Sequence, residues 1–340
     1  MMSTSKNKPV TYRYEENRGR FIKPCPGTPR YVCCGYRIIN FAQGCTIGCT
    51  YCILDHYFDS DTPVLFSNVE QLIGELRKTV ANSKGILRFG TGEFTDSLLH
   101  DDYYHVYRRI LPLIASSSNA VLEIKTKTVN IGTLINMDLY NRIILSWSLN
   151  SDYIASREER GAPCIEERIS AAYRVETCGY KLAFHFDPVV FYDGWEEGYK
   201  KTIEALFHRI DPQNVVYVSM GSLRFSSDMQ DSLMQRSDVY LHGDFIRGQD
   251  GKIRYFRPIR TKLYRTVLAY LKQYIPEERV YLCMENQDVW KDVFAIDNMT
   301  SAQLAKRLDR ACVRAFPGLI SKQKAFAAAK RGQGKLDEIR

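Results

Sequence analysis

An α/β fold of repeated strand and helix units is what this sequence predicts, and three observations carry the prediction. Short β-rich runs recur along the chain, most of them are apolar on both faces as buried parallel strands are, and the segments between them carry apolar residues at helical spacing. In order, the strand runs are Tyr36–Ala42, Ile86–Gly90, Val121–Thr126, Ile143–Ser148, Leu182–Asp187, Val215–Met220 and Val280–Met284. The first carries Ile38, Ile39 and Phe41; Ile143–Ser148 and Val215–Met220 are nearly continuous in aliphatic and aromatic residues; Leu182–Asp187 closes on a carboxylate. Val69–Ala81, Asp102–Ala115 and Trp195–Ile210 show the helical spacing. Ser321–Arg340 is rich in Ala and Lys without an apolar stripe, and reads as a surface helix with a frayed end. Units of this kind close a barrel or wind an open sheet, and in both the loops at the C-terminal strand ends form the active site.

The rest of the composition narrows the class. At 340 residues, 45% hydrophobic and 25% charged, the chain buries a substantial core, and no linker rich in Pro, Gly or Ser divides it. It has no run of eighteen apolar residues that would span a bilayer, so no membrane partner is expected. Met1 to Pro9 lacks the apolar region of a secretory signal, which predicts a cytoplasmic protein. The net charge of +8 is compatible with a polyanionic partner but equally common without one.

Ten cysteines in a reducing compartment point to metal binding or catalysis rather than a disulfide framework. Six of them, Cys25, Cys33, Cys34, Cys45, Cys49 and Cys52, lie within the first sixth of the chain. The run Gly44-Cys45-Thr46-Ile47-Gly48-Cys49-Thr50-Tyr51-Cys52 follows a strand and has C-x3-C-x2-C spacing. A structural zinc site wants four closed ligands, whereas an iron–sulfur cube held by three cysteines leaves one iron open for a cofactor. That open corner suits S-adenosylmethionine (SAM), whose amino acid end chelates the iron before reductive cleavage yields a 5′-deoxyadenosyl radical. The competing reading is a zinc site completed by Cys33 or Cys34, or three merely buried thiols. Cys25, Cys33 and Cys34 do not follow a usual cluster spacing and read as packing.

Further blocks carry a resemblance. They are Arg88-Phe89, Thr126-Lys127, Ser146-Trp147-Ser148-Leu149-Asn150, Glu166 to Ala172, Gly179-Tyr180 and Gly194 to Tyr199. With the cysteine triad, over roughly Tyr31 to Met284, the chain resembles the spore photoproduct lyase family of radical SAM proteins. The resemblance implies a partial (β/α)6 barrel over 31–300, with an N-terminal extension over 1–30 and a C-terminal helical extension over 301–340. It implies a [4Fe–4S] cluster on Cys45, Cys49 and Cys52, with Tyr51 against the SAM adenine. Thr95 stands where these lyases have a serine near SAM, Lys127 matches a SAM-contacting lysine and Ser148 a serine beside the SAM amino acid moiety. A lysine ammonium and hydroxyl donors suit a carboxylate, and Asn150 adds an amide at the same rim. An external one-electron reductant of flavodoxin or ferredoxin type is also implied.

Two positions depart from the pattern. In Arg88-Phe89-Gly90-Thr91-Gly92-Glu93-Phe94-Thr95-Asp96, Glu93 occupies the place of the lyases' hydrogen-donor cysteine, and Ile53 replaces the tyrosine that assists it. A carboxylate does not give up a hydrogen atom as a thiol does. Cys283, at the end of a late strand, is the candidate substitute donor, with a buried strand cysteine as the alternative. Asp96, His185 and Asp187 are candidate substrate contacts, and Glu285 is a weaker one. Basic and aromatic residues interleave from Arg254 through Arg257 to Arg260, which suits phosphate contact and base stacking. The expectation is a radical SAM enzyme, lyase-like, acting on a nucleic acid or nucleotide, with DNA photoproduct repair as the specific form. A small-molecule substrate, such as a nucleoside or cofactor precursor, and a non-catalytic metal-binding regulator are the alternatives.

Overall fold

Strands apolar on both faces must be covered on both, and consecutive parallel strands need a crossover between them. The computed structural model, which describes residues 11–320 apart from 29, 59–61, 138 and 139, meets both demands with one sheet. Its strands are β1 (Ile22–Pro24), β2 (Arg37–Ile39), β3 (Leu87–Gly90), β4 (Ala120–Thr126), β5 (Ile143–Ser148), β6 (Lys181–Val189), β7 (Val215–Ser222) and β8 (Val280–Leu282). The order is strictly sequential from β8 to β1. From β2 to β8 every pairing is parallel, and β1 runs antiparallel to β2 at the edge. β8 does not pair with β1, so the sheet is a curled half-barrel. All residues of β5 and β7 are buried.

The crossovers carry α1 (Val69–Asn82), α2 (Tyr107–Ala115), α3 (Ile165–Thr177), α4 (Trp195–Arg209) and α5 (Arg257–Leu271), and α6 (Ser301–Ala315) follows β8. Each buries one face, as Leu72, Ile73 and Leu76 do in α1 and Tyr199, Ile203 and Leu206 in α4. Thr300 and Gln303 cap α6 reciprocally, and Arg88 of β3 pairs with Asp309 at 2.8 Å. Among the described residues no helix is long and apolar enough to cross a membrane.

The chain departs from the sequence reading in three places. The run Tyr36–Ala42 is two strands: after β2, Asn40 turns inward with its N–H on the Phe21 carbonyl, and Ala42–Gln43 joins Val64–Phe66 and Arg13–Glu15 in a separate small sheet. The helix expected over Asp102–Ala115 breaks at His105, whose positive φ of 51° ends a first short turn before α2 begins. Between β7 and α5 a third sheet forms from Arg224–Phe225, Ile253–Tyr255 and Phe245–Arg247. The helix expected over Ser321–Arg340 lies outside the described residues.

The open side of the half-barrel is crossed by the segment before β2. Val32 donates its N–H to the Glu285 carbonyl at 2.8 Å, lacing this segment to the end of β8. The C-terminal strand ends, the cysteine loop and this crossing segment therefore surround one cleft.

Candidate active site

The cysteine loop is shaped by backbone constraints that sequence spacing only hints at. Gly44 and Gly48 adopt φ of 87° and 71°, the left-handed region that favours glycine, and a Cβ on Gly44 would lie 3.2 Å from the Pro63 Cα. Gly44 N–H donates to the Phe94 carbonyl at 2.9 Å, Thr50 N–H to that of Glu158 at 2.9 Å, and Gly161 N–H to that of Ile47 at 2.8 Å. The loop is thus tied to the β3 loop on one side and to the segment after β5 on the other. Cys45, Cys49 and Cys52 all line a cleft of about 870 Å³, together with Tyr51, Glu93, Thr95, Asp96, Lys127, Ser148 and Asp187.

The donor set fits an iron–sulfur cube. All three thiols are free, and burial pushes each of them up, Cys49 to about 12. An apolar setting of this kind penalises a bare thiolate and leaves the compensation to a bound cationic centre. A closed zinc site takes four protein ligands, and the cysteine loop presents three to the cleft. A cube instead takes its thiolates at separate corners.

Beside the triad, the side chains expected around SAM divide into two kinds. Lys127 points along the cleft, its ammonium 5.5 Å from the Tyr51 ring centroid. Burial opposes its charge, but the thiolate form of Cys49 and the Glu159 carboxylate outweigh that and hold the lysine above its ordinary range. The Tyr51 hydroxyl donates to Glu159, and Glu159 forms an ion pair with Arg168 at 2.5 Å that is not aligned as a hydrogen bond. Thr95 donates its hydroxyl to the Gly44 carbonyl at 2.7 Å, anchoring the cysteine loop. Asp96 also lines the cleft, but its carboxylate already accepts from the N–H groups of Leu98, Leu99 and Lys127 and from the Thr126 hydroxyl. It organises the rim rather than presenting a free acceptor. Asn150 is a correction: it is 1% exposed, accepts from the Tyr199 hydroxyl at 2.6 Å and donates to the Pro188 carbonyl at 3.1 Å, away from the cleft wall. Its amide is used up by packing α4 onto the strand ends.

Charged pairs line another part of the cleft. Glu93 accepts from Lys125 at 2.7 Å and from the Tyr36 hydroxyl. Burial works against its charge, and the lysine and phenol outweigh that, so the carboxyl sits below its ordinary range. Asp187 holds Arg224 through two hydrogen bonds of 3.0 Å. The Cys283 sulfur lies 3.8 Å from the same guanidinium, and burial pushes that thiol to about 12. His185 does not join Asp187 at the cleft. It lies deeper in the half-barrel, 2.5 Å from Glu123 and 2.6 Å from Ser219. The basic run is a second correction. Arg254 is 1% exposed, pairs with Asp250 at 2.5 Å and stacks on Tyr31; Arg260 is buried against Glu285 at 3.1 Å; Arg257 pairs with Asp292 at 2.7 Å. These cations face carboxylates of their own chain because Ile253–Tyr255 is an inner strand and Pro258 opens α5 directly after it. Glu285, expected as a weak site candidate, is spent on Arg260 and Tyr264.

Sequence reasoning missed Lys125, Arg224, Tyr36, Glu159 and Arg168. For Lys125 a signal existed, since Glu123 and Lys125 alternate along β4 and so share one face, with Lys127 next in the same alternation just past its end. The others come from four separate segments, and no spacing connects them.

Residues 33–237 match the family model described as Spore photoproduct lyase. The chain belongs to the spore photoproduct lyase family of radical SAM proteins. Spore photoproduct lyase of Bacillus subtilis (strain 168) is 29% identical over 179 residues, 52% of each chain, and that of Geobacillus sp. (strain Y412MC61) is 26% identical over 175 residues, 51% of each. The chain thus spans about half the length of these curated relatives. A spore photoproduct lyase complexed with dinucleoside spore photoproduct shares the fold, with a TM-score of 0.68 and 21% identity over 79% of this chain and 80% of that one. A double mutant of that lyase with bound AdoMet and dinucleoside spore photoproduct superposes equally, again with a TM-score of 0.68 at 21% identity. The family match covers the triad, Glu93, Lys127 and Asp187, and leaves Cys25, Arg254 and Cys283 outside it.

Proposed function

We propose that this protein is a radical SAM enzyme that holds a [4Fe–4S] cluster on Cys45, Cys49 and Cys52 and abstracts hydrogen from a nucleotide-type substrate. The observation that carries the reading is the cleft itself: three free thiols, a protonated lysine and an aromatic ring share one wall of it. When bound, the cluster and SAM supply a 5′-deoxyadenosyl radical as the hydrogen abstractor. The chain's own residues do the rest. Lys127 offers a permanent positive charge to the SAM carboxylate, Ser148 a hydroxyl, and Tyr51 a ring fixed by Glu159. Thr95 and Asp96 hold the cysteine loop and the β4 end in register. Glu93, ionised and paired with Lys125, orients polar substrate groups or moves a proton but does not donate a hydrogen atom. Asp187 and Arg224 form the substrate side, with Cys283 behind them against the Arg224 guanidinium.

A lesion-bearing dinucleotide is the first substrate to try, because relatives of the same fold bind dinucleoside spore photoproduct. A second reading, a nucleoside-sized small molecule, is favoured by Arg254 and Arg260, whose inward pairing leaves that segment without the open cations that track a long phosphate backbone. We read the barrel as 31–300 with flanking extensions, a cytoplasmic protein reduced by a flavodoxin or ferredoxin type of donor. The test is anaerobic: reconstitute the cluster, add reductant and SAM, and follow 5′-deoxyadenosine with and without dinucleoside spore photoproduct. Restored thymine supports photoproduct repair, 5′-deoxyadenosine without it supports the small-molecule reading, and the absence of both products refutes the enzyme reading.

A further inference from the structure

Resting on the radical SAM reading above, a question follows from Glu93: which group returns a hydrogen atom to the substrate radical when the family's donor position holds a carboxylate? The answer must be a thiol on the cleft, still protonated, close to Glu93. The crossing segment supplies one. Cys25 lines the same cleft as the cluster triad. Its N–H donates to the Tyr36 carbonyl at 3.0 Å, and Tyr36 in turn gives its hydroxyl to Glu93. Tyr36 is clamped in place, because its ring fills the space above Gly90 so tightly that a Cβ there would come within 2.3 Å. The Glu93 charge is felt at the Cys25 thiol.

Cys25 is not alone. Its thiol is hydrogen-bonded to that of Cys33, which also takes a hydrogen bond from Cys34. Gly27, at φ +42°, turns the chain over this pair, and a Cβ there would meet the Cys33 sulfur at 3.5 Å. The two thiols are driven apart in acidity: the hydrogen bond to Cys33 raises Cys25, and the hydrogen bonds from Cys25 and Cys34 lower Cys33. Cys25 therefore meets the requirement on the cleft, with the Cys33 sulfur packed behind it under Gly27.

We propose that Cys25, backed by Cys33, is the hydrogen-atom donor of this protein. The Cys25 S–H bond breaks and a C–H bond forms on the substrate radical, which leaves a thiyl on Cys25. One electron from the external one-electron reductant and one proton from water then restore the Cys25 thiol. Each turnover on this route consumes one SAM and two electrons, one for SAM cleavage and one for the thiol.

A thiol exchanges its hydrogen with water, so the route is read with deuterium and without a known substrate. Reconstituted protein in D2O, given SAM and dithionite alone, is expected to form 5′-deoxyadenosine carrying deuterium from the Cys25 S–D group. The deuterium per 5′-deoxyadenosine should fall several-fold in Cys25→Ala and in the near-isosteric Cys25→Ser. Undiminished deuterium in both variants overturns the proposal, as does deuterium that falls instead with Cys283→Ala. Absence of 5′-deoxyadenosine from the wild type overturns the radical SAM reading beneath it. A separate measurement on metal-free protein tests the pair: mild diamide oxidation followed by peptide mapping should find a Cys25–Cys33 disulfide, and failure to find one refutes the pairing.

Discussion

The buried ion pair behind Tyr51 makes the strongest quantitative prediction. Arg168 and Glu159 are 0% and 1% exposed in their side chains and 2.5 Å apart, and Arg168 also donates to the carbonyls of Pro163 at 2.9 Å and Ser148 at 3.0 Å. Arg168→Met keeps the volume and removes the charge, stranding a carboxylate in the interior. Breaking such a pair from one side costs about 3–5 kcal/mol. Lys127 also faces Glu159 and offsets part of the loss, which argues for the lower end, about 3 kcal/mol. Unfolding entropy of ~2.1 cal/mol/K per residue over this chain turns that into about 4 °C of Tm. Glu159 is held below its ordinary range because Lys127 and Arg168 outweigh the opposing burial. Without Arg168 its pKa rises, so the loss should be largest at neutral pH and shrink as acid protonates Glu159. The assay is thermal unfolding of Arg168→Met, Glu159→Gln and the double variant at neutral and acid pH. Recovery of most of the lost stability in the double variant is expected, since the single changes share one interaction. A single variant that shifts Tm by less than about 1 °C, or a double variant that loses the sum of both, refutes the reasoning.

Three other outcomes are expected. Lys127→Met should weaken SAM binding to the reconstituted protein by about 10- to 100-fold, the worth of a charge-assisted hydrogen bond, in anaerobic calorimetry. Glu123, held at about 2 because His185 outweighs its burial, stabilises the fold above the ordinary carboxylate value of 4.5 and loses that contribution as pH falls towards 2; Glu123→Gln should flatten the acid limb of a urea-midpoint profile across that window. Gly90→Ala drives a Cβ into the rigid Tyr36 ring and should cost about 1–3 kcal/mol in denaturant unfolding, with Gly85→Ala, which meets open space, as the neutral comparison.

Much of the fold was legible because strand burial leaves a local record. Ile143–Ser148 coincides with β5, and Lys181–Val189 and Val215–Ser222 extend the expected runs by only a few residues, since a parallel strand covered on both faces must be apolar throughout. The three-cysteine loop was legible for the same kind of reason: its thiols are close in the chain, and the fold brings all three onto one cleft. Lys127 and Ser148 were found through family blocks and do line the cleft.

What the chain order does not encode is which charges meet. Arg254 and Arg260 look like a basic strip along the sequence, yet Asp250 and Glu285 claim them inside the fold, because a buried cation without a partner is too costly to keep. Asn150 looked like a rim amide until α4 brought Tyr199 against it. Cys25 and Cys33 read as packing in sequence, and the crossing of the open half-barrel brings one onto the cleft and the other against it. Local chemistry and periodicity belong to the sequence itself, while pairings between distant segments exist only once the sheet has curled and its open side has been laced shut.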